Sequence, residues 1–200
     1  KFVNQQGVGY NLSMLSQETI QNMYMETEKE FLKCFNDQGN IIEPQPRNIV
    51  HTKPYSIWHG IVDIWLLNNK GEILCTKRSE KLEGNPGKWE TYLGGHVKAE
   101  HGFLETARRE ISEEIGLFLA PSDFKLVASD KREDFMHVYE RYAVLYNGDP
   151  SLLNFADEEV IEARWFSFNE YQKNKKEHPE NWCNSITDDL YKKALEVLGL

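Results

Sequence analysis

The spacing of apolar residues along the chain predicts an alternation of strands and helices. A long apolar run rich in β-branched residues at Ile57–Leu67 predicts a buried strand, and the turn residues Asn68–Gly71 lead to a partner strand at Glu72–Arg78. Further strands are predicted at Trp89–Leu93, Phe124–Ser129, His137–Tyr146 and Val160–Phe166. Apolar residues at helical spacing predict helices at Phe103–Ile115, Phe168–Lys176 and Thr187–Leu198, and Gly116 is a natural end for the first of them.

The N-terminal part of the chain predicts a helix and a hairpin. Ser16 is a suitable cap for a helix at Gln17–Glu28, and the turn Asn36–Asn40 joins strand-like segments at Phe31–Phe35 and Ile41–Arg47. We therefore predict an N-terminal extension over residues 1–47 and a main domain with C-terminal helices over residues 48–200. Strands around one central helix, with more helices at the end, predict an α/β fold, namely an α/β/α sandwich with a mixed sheet. The extension is a candidate dimer surface, which would make a homodimer, or a lid.

Composition narrows the classes of partner. The 200 residues carry a net charge of −9, which argues against nucleic acid but is compatible with a small anionic substrate held through a divalent cation. The three cysteines, Cys34, Cys75 and Cys183, lack CxxC spacing, so we expect no disulfide framework and a reducing, cytoplasmic environment. No apolar run approaches the roughly 18 residues needed to cross a membrane. No signal peptide is visible, although the chain begins with Lys1.

A cluster of glutamates on the predicted helix at Phe103–Ile115 carries the clearest chemistry. Glu113 and Glu114 follow Glu110 by three and four residues, so Glu110 stands beside both of them on the helix. Carboxylates so close would raise one another's pKa unless a cation lay between them. Hard oxygen ligands favour Mg²⁺, with Mn²⁺ as the alternative. The opposite face is apolar and can pack under the sheet.

The sequence around these glutamates resembles the Nudix box, G-x5-E-x7-R-E-U-x-E-E-x-G-U, in which U is a bulky aliphatic residue. Gly95 and all nine positions of Arg109–Leu117 fit. The resemblance implies a magnesium-dependent hydrolase acting on a small-molecule diphosphate. It implies metal ligands at Glu110, Glu113, Glu114 and the carbonyl of Gly94 or Gly95, with catalytic roles for Glu113 and Glu114, while Arg109 holds the carboxylates in place.

One position departs from the box. His101 stands where the first glutamate of the box is expected, with Glu100 just before it. His101 is either a catalytic base near neutral pH or a surface histidine at the entrance of the helix.

The resemblance extends to the branch that contains isopentenyl-diphosphate isomerase and related hydrolases, through His51, Trp58-His59, Arg78-Ser79, Pro86–Glu90 and Gly95-His96. The isomerases carry an essential cysteine where this chain has Gly94, which favours hydrolysis. His51, His59, His96 and Glu140 match positions of a second metal site in the isomerases; the alternative for each histidine is a structural role. Glu140 is also a candidate to contact the substrate, or to act as a metal ligand or a base from outside the box.

Two basic residues end a strand that is expected to face the box. Lys77 and Arg78 either bind substrate phosphate or are solvated.

The leading hypothesis for the function is cleavage of a phosphoanhydride bond in a nucleoside diphosphate-X or in an isoprenoid or other organic diphosphate. The alternatives are an isopentenyl-diphosphate isomerase and a catalytically weak Nudix domain that senses a nucleotide.

Overall fold

The computed structural model describes residues 2–3, 9–10, 30–82, 84–155, 158–183 and 186–200. The predicted helix at Gln17–Glu28, with its cap Ser16, lies outside these residues. The strands are β1 (Phe2–Val3), β2 (Gly9–Tyr10), β3 (Phe31–Phe35), β4 (Ile41–Pro46), β5 (Trp58–Leu67), β6 (Ile73–Arg78), β7 (Trp89–Glu90), β8 (Phe124–Arg132), β9 (His137–Leu145) and β10 (Val160–Phe166). The helices are α1 (Arg47–Val50), α2 (Phe103–Ile115), α3 (Phe168–Glu177) and α4 (Asp188–Leu198).

A mixed sheet of eight strands, β3 to β10, forms the centre of the described chain. Strand β5 is its middle, and all ten of its residues are buried. On one edge β5 pairs in parallel with β9, from His59↔His137 to Leu67↔Leu145. Its other edge contacts β3 and β6, both antiparallel. The predicted hairpin of β3 and β4 therefore belongs to the same sheet as the rest of the domain.

The two faces of the sheet are covered by different helices. On one face Val62 and Ile64 pack against Ile111 and Ile115 of α2. On the other face Trp65 and neighbouring apolar residues pack against the C-terminal helices. Successive side chains of β5 therefore serve opposite cores, which explains why the whole strand is apolar. The predicted α/β/α sandwich is confirmed.

Helix α2 has the bounds that the sequence predicts. Apolar Ala107, Ile111 and Ile115 are fully buried, and Gly116 ends the helix in the left-handed conformation with φ of 72°. A glycine adopts this conformation without the steric cost that a side chain adds.

The predicted strand at Trp89–Leu93 is shorter in the structure. Strand β7 stops at Glu90, which pairs with Thr76 of β6. The chain then crosses to β5, where Leu93 and Ile64 exchange backbone hydrogen bonds of 2.7 and 3.0 Å. Competition between two partner strands explains the early end of β7.

Cys34, Cys75 and Cys183 are free cysteines. Within the described ranges, no helix has the length and apolar character required to cross a membrane.

Candidate active site

A glycine turn lies flat against the central strand just before α2. The amide of Val62 donates to the carbonyl of Gly95 at 2.9 Å, and the amide of Val97 donates to the carbonyl of Gly60 at 2.9 Å. A Cβ atom on Gly94 would lie 2.0 Å from the carbonyl oxygen of Val62. No side chain fits at position 94 because that neighbour is backbone.

This turn contacts two of the box glutamates. A Cβ atom on Gly95 would lie 2.5 Å from Cδ of Glu110, so the glycine leaves room for that carboxylate. The amide of Gly94 donates to Oε1 of Glu114 at 3.1 Å. Glu110, Glu114 and the turn, all predicted to be parts of a metal site, are thus brought together.

The third box glutamate is oriented differently. Arg109 donates from Nη2 to Oε1 of Glu113 at 2.9 Å, one helical turn away. Glu113 is exposed, whereas Glu114 is buried. This contact turns Glu113 towards Arg109, the residue predicted to hold the box carboxylates.

His101 is tied to the same arginine. Its Nδ1 accepts a hydrogen bond from Nη1 of Arg109 at 2.8 Å, while its Nε2 lies 3.7 Å from Glu100 and 3.8 Å from Glu105. A ring nitrogen that already accepts from a guanidinium has no lone pair left for a substrate proton. The geometry therefore gives His101 a part in fixing Arg109, and not the role of a base acting through Nδ1.

The charge of this site fits a divalent cation. Burial, and then the nearby charge of Glu113, raise the pKa of Glu110 to about 7. Such a rise means that the ionised carboxylate lacks enough positive charge around it. A cation at the turn would supply that charge, and the oxygen donors there suit Mg²⁺ or Mn²⁺.

A cavity of about 250 Å³ opens beside Gly94 and Glu114. Its wall includes Arg78, Glu90 and Cys183, of which only Arg78 was predicted from the sequence. Nη1 of Arg78 lies 3.3 Å from Oε2 of Glu90. Sγ of Cys183 lies 3.6 Å from the same oxygen and 3.4 Å from the carbonyl oxygen of Trp89, so its one proton can be donated to either acceptor.

Glu90 and Cys183, the two wall residues that were not predicted, are held in place by contacts between distant parts of the chain. Glu90 sits in the strand that pairs with β6, and Cys183 is held by a 3.0 Å hydrogen bond from its amide to the carbonyl of Trp89. Burial raises the pKa of Glu90, and burial followed by the charge of Glu90 raises the pKa of the Cys183 thiol to about 11. Cys183 is therefore a neutral thiol at neutral pH. Its distance in sequence from the box, which no local pattern bridges, explains why sequence reasoning missed it.

The other predicted substrate residues do not reach this cavity. Lys77 follows Thr76 and precedes Arg78 in β6, so alternation turns it to the opposite face of the sheet from Arg78. Glu140 shares the face of α2, but it accepts a hydrogen bond from the hydroxyl of Tyr142 and is not among the described residues that line the cavity.

A histidine cluster lies on the other face of the sheet. One ligand nitrogen from each of His51, His59 and His96 can be chosen so that all lie within 4.8 Å of one another. Nε2 of His51 and Nε2 of His96 are 3.0 Å apart, and the rings of His59 and His96 are stacked. The structure thus brings together three of the four residues that resemble a second metal site. Glu140 is excluded, because it lies on the opposite face of the sheet from His59.

A fourth histidine, His137, completes this cluster. Its ring lies 4.7 Å from that of His59, because the two residues face each other in the parallel pair of β5 and β9. Nδ1 of His59 contacts the carbonyl of Ile57 at 3.2 Å, and its Nε2 is buried with no partner in the described structure. Burial lowers the pKa of His59 to about 4, that of His137 to about 3 and that of His96 to about 2. The rings are therefore neutral, the form in which imidazole binds metals.

Comparison with known proteins places this geometry in a family. The family model described as the NUDIX domain matches residues 58–183, which is more than half of the chain. An uncharacterized Nudix hydrolase from Clostridium acetobutylicum is 27% identical over 124 residues, covering 56% of this chain and 59% of the relative. Isopentenyl-diphosphate Delta-isomerase from Corynebacterium glutamicum is 32% identical over 93 residues, covering 46% of this chain and 49% of the relative. The chain thus spans 59% and 49% of the lengths of these two relatives.

One solved structure shares this fold over nearly the whole length of the solved chain. The crystal structure of a Deinococcus radiodurans protein aligns with a TM-score of 0.62 at 18% identity, covering 84% of this chain and 99% of that one. The fold, the glycine turn with its two glutamates, and the match to the family model lead to one conclusion. The chain belongs to the Nudix family.

Proposed function

We propose that the protein hydrolyses a phosphoanhydride bond of a small-molecule diphosphate and that it requires Mg²⁺, for which Mn²⁺ can substitute. The observation that carries this proposal is the approach of Glu110 and Glu114 to the turn at Gly94-Gly95. A hydrolase also matches the name of the Clostridium acetobutylicum relative.

The proposed mechanism assigns each residue a limited task. Glu110, Glu114 and a carbonyl of the glycine turn would hold the metal, which when bound neutralises diphosphate oxygens and lowers the pKa of water. Arg109 fixes Glu113 at the edge of the site. Arg78 lies at the cavity wall, where its guanidinium can donate to phosphate. Water adds to one phosphorus and releases a proton to the solvent, the bridging P–O bond breaks, and the leaving phosphate departs with the bond electrons.

Isomerisation of isopentenyl diphosphate is the alternative suggested by the Corynebacterium glutamicum relative. It is disfavoured, because the position expected to hold the essential cysteine is Gly94, where a Cβ atom would collide with the backbone of Val62. A sensor that has lost catalysis is disfavoured because Glu110, Glu113 and Glu114 are all retained.

The test is turnover of a panel of diphosphates with Mg²⁺, comparing wild type with Glu114→Gln. The panel includes nucleoside diphosphate sugars, dinucleotides, coenzyme A and isopentenyl diphosphate. We expect metal-dependent release of phosphate or a nucleotide that falls by at least 100-fold in Glu114→Gln. The control is Glu196→Gln, the same change at an exposed position of α4. Equal activity of Glu114→Gln and wild type would refute the proposal, and conversion of isopentenyl diphosphate to its isomer would favour the alternative.

We also infer that the histidine cluster binds a second divalent metal of the class that prefers nitrogen ligands, such as Zn²⁺ or Co²⁺. The unpartnered Nε2 of buried His59 supports this inference. The visible absorption spectrum of the Co²⁺-loaded protein should lose its ligand-field bands in His59→Asn and keep them in Glu114→Gln. Retention of the bands in His59→Asn would refute it.

A further inference from the structure

The wall of the cavity that faces Glu114 is held in a fixed arrangement. Arg78 donates from Nε to the carbonyl of Gly84 at 3.0 Å and pairs with Oε2 of Glu90. Sγ of Cys183 also contacts this Oε2, at 3.6 Å. Because both contacts fall on Oε2, Oε1 of the same carboxylate can accept a hydrogen bond from a ligand.

The lining of the cavity is polar. Besides the three wall residues and Glu114, the described lining consists of two glycines, Asn85, Tyr92 and Glu159, with no aliphatic side chain among them. An apolar group placed here would separate charged groups from water without offering hydrogen bonds in return. A group with hydroxyls would donate hydrogen bonds to the Glu90 carboxylate.

The cavity is also small. At about 250 Å³ it lies below the range of roughly 300–1,000 Å³ that is typical of pockets for drug-sized ligands. Glu114 and Gly94 belong to its lining, so the cavity lies beside the proposed metal site. The size and polarity of the cavity fit a single compact polar group, and they do not fit a long chain or a second nucleoside.

We propose that this cavity is the binding subsite for a sugar joined to the substrate diphosphate, with Glu90 as the residue that selects hydroxyls over prenyl carbons. The proposal rests on the proposed function, since it assigns the substrate class of the same site. A site built to pair with substrate hydroxyls strongly disfavours an analogue that lacks them. We expect a preference of roughly 100-fold or more in kcat/KM for a sugar diphosphate over isopentenyl diphosphate.

The kinetic test compares uridine diphosphate glucose, adenosine diphosphate ribose and isopentenyl diphosphate in wild type and in Glu90→Gln. We expect Glu90→Gln to raise KM at least tenfold for the two sugar compounds, with a smaller change in kcat, and to lower kcat/KM for isopentenyl diphosphate by a smaller factor. Equal losses on all three compounds, or wild-type preference for isopentenyl diphosphate, would overturn the sugar subsite.

A second readout does not depend on turnover, so it separates this proposal from the proposed function. Cys34 and Cys75 are fully buried, which leaves Cys183 as the thiol that a reagent can reach. Alkylation of Cys183 at alkaline pH should be slowed by uridine diphosphate glucose and not by isopentenyl diphosphate, with Cys183→Ser as the control that removes the label. Protection of Cys183 without hydrolysis would support the subsite while the hydrolase proposal fails. Equal protection by both compounds, or by neither, would overturn the subsite.

Discussion

Replacing Gly95 with alanine would place a methyl group 2.5 Å from Cδ and Oε2 of Glu110. Ordinary contacts of a Cβ atom begin at 3.4 Å, so the carboxylate must move by about 0.9 Å. A displacement near 1 Å in a reacting constellation costs about 100-fold in rate. We therefore expect Gly95→Ala to lose about 100-fold in metal-dependent turnover and to bind Mn²⁺ more weakly.

The effect of Gly95→Ala should be confined to the site. The neighbour that must move is the end of a side chain, so the urea midpoint of unfolding should change little. Gly94→Ala, by contrast, would drive a methyl group into the backbone of Val62 and should destabilise the fold. Gly102→Ala adds the same methyl at the start of α2, where nothing lies within 4 Å, and serves as the control.

Three measurements test whether Gly95 leaves room for a metal-binding Glu110. They are turnover with Mg²⁺, titration with Mn²⁺ by calorimetry, and unfolding in urea. Wild-type turnover and Mn²⁺ affinity in Gly95→Ala would show that Glu110 does not hold the metal, and the assignment of the site would be wrong. A loss of stability as large as that of Gly94→Ala would show that Gly95 serves the fold instead.

Three further results are expected. Ile111→Ala leaves a void in the core under α2, and urea unfolding should show a loss of about 2–5 kcal/mol; a loss below 1 kcal/mol would contradict the packing described. Arg141→Leu removes the 2.8 Å partner of buried Asp63 and leaves Arg132 at 3.5 Å, so the loss of stability should be about 2 kcal/mol. Adding Asp63→Asn should partly restore this loss, and additive losses in the double variant would refute the pairing. Because the pKa of Cys183 is raised to about 11, its thiolate is scarce at pH 8. The rate of its alkylation should therefore rise about tenfold per pH unit up to the pKa. A plateau of the rate near pH 9 would show an ordinary thiol.

The sequence predicts those parts of the site that depend on local structure. Helix α2 and its end at Gly116 follow from apolar periodicity and the need for a left-handed residue, and the approach of Glu110 to Gly95 follows from the resemblance to the box. The positions of Glu90, Cys183 and His137 depend instead on pairing between segments far apart in the chain. Local patterns carry no information about which distant strand lies alongside, so these three residues were not predicted.

The orientation of side chains shows the same limit. Helical spacing places Glu113 and Glu114 on neighbouring faces, but it does not reveal that Arg109 draws Glu113 outwards. Strand alternation could have separated Lys77 from Arg78, because the face of Arg78 becomes evident once Leu74 is assigned to the core under α2.

The parallel pairing of β5 with β9 has a consequence for the order of folding. Partners across this pair, such as Asp63 and Arg141, are 78 residues apart in sequence. The glycine turn and β6 can line one edge of β5 early, while the other edge waits until β9 has been synthesised. Through that interval a long apolar strand exposes unpaired amides and carbonyls, the feature that promotes aggregation of nascent chains. Substitutions that weaken β9 should therefore lower the yield of protein produced in cells more than they alter the chemistry of the molecules that do fold.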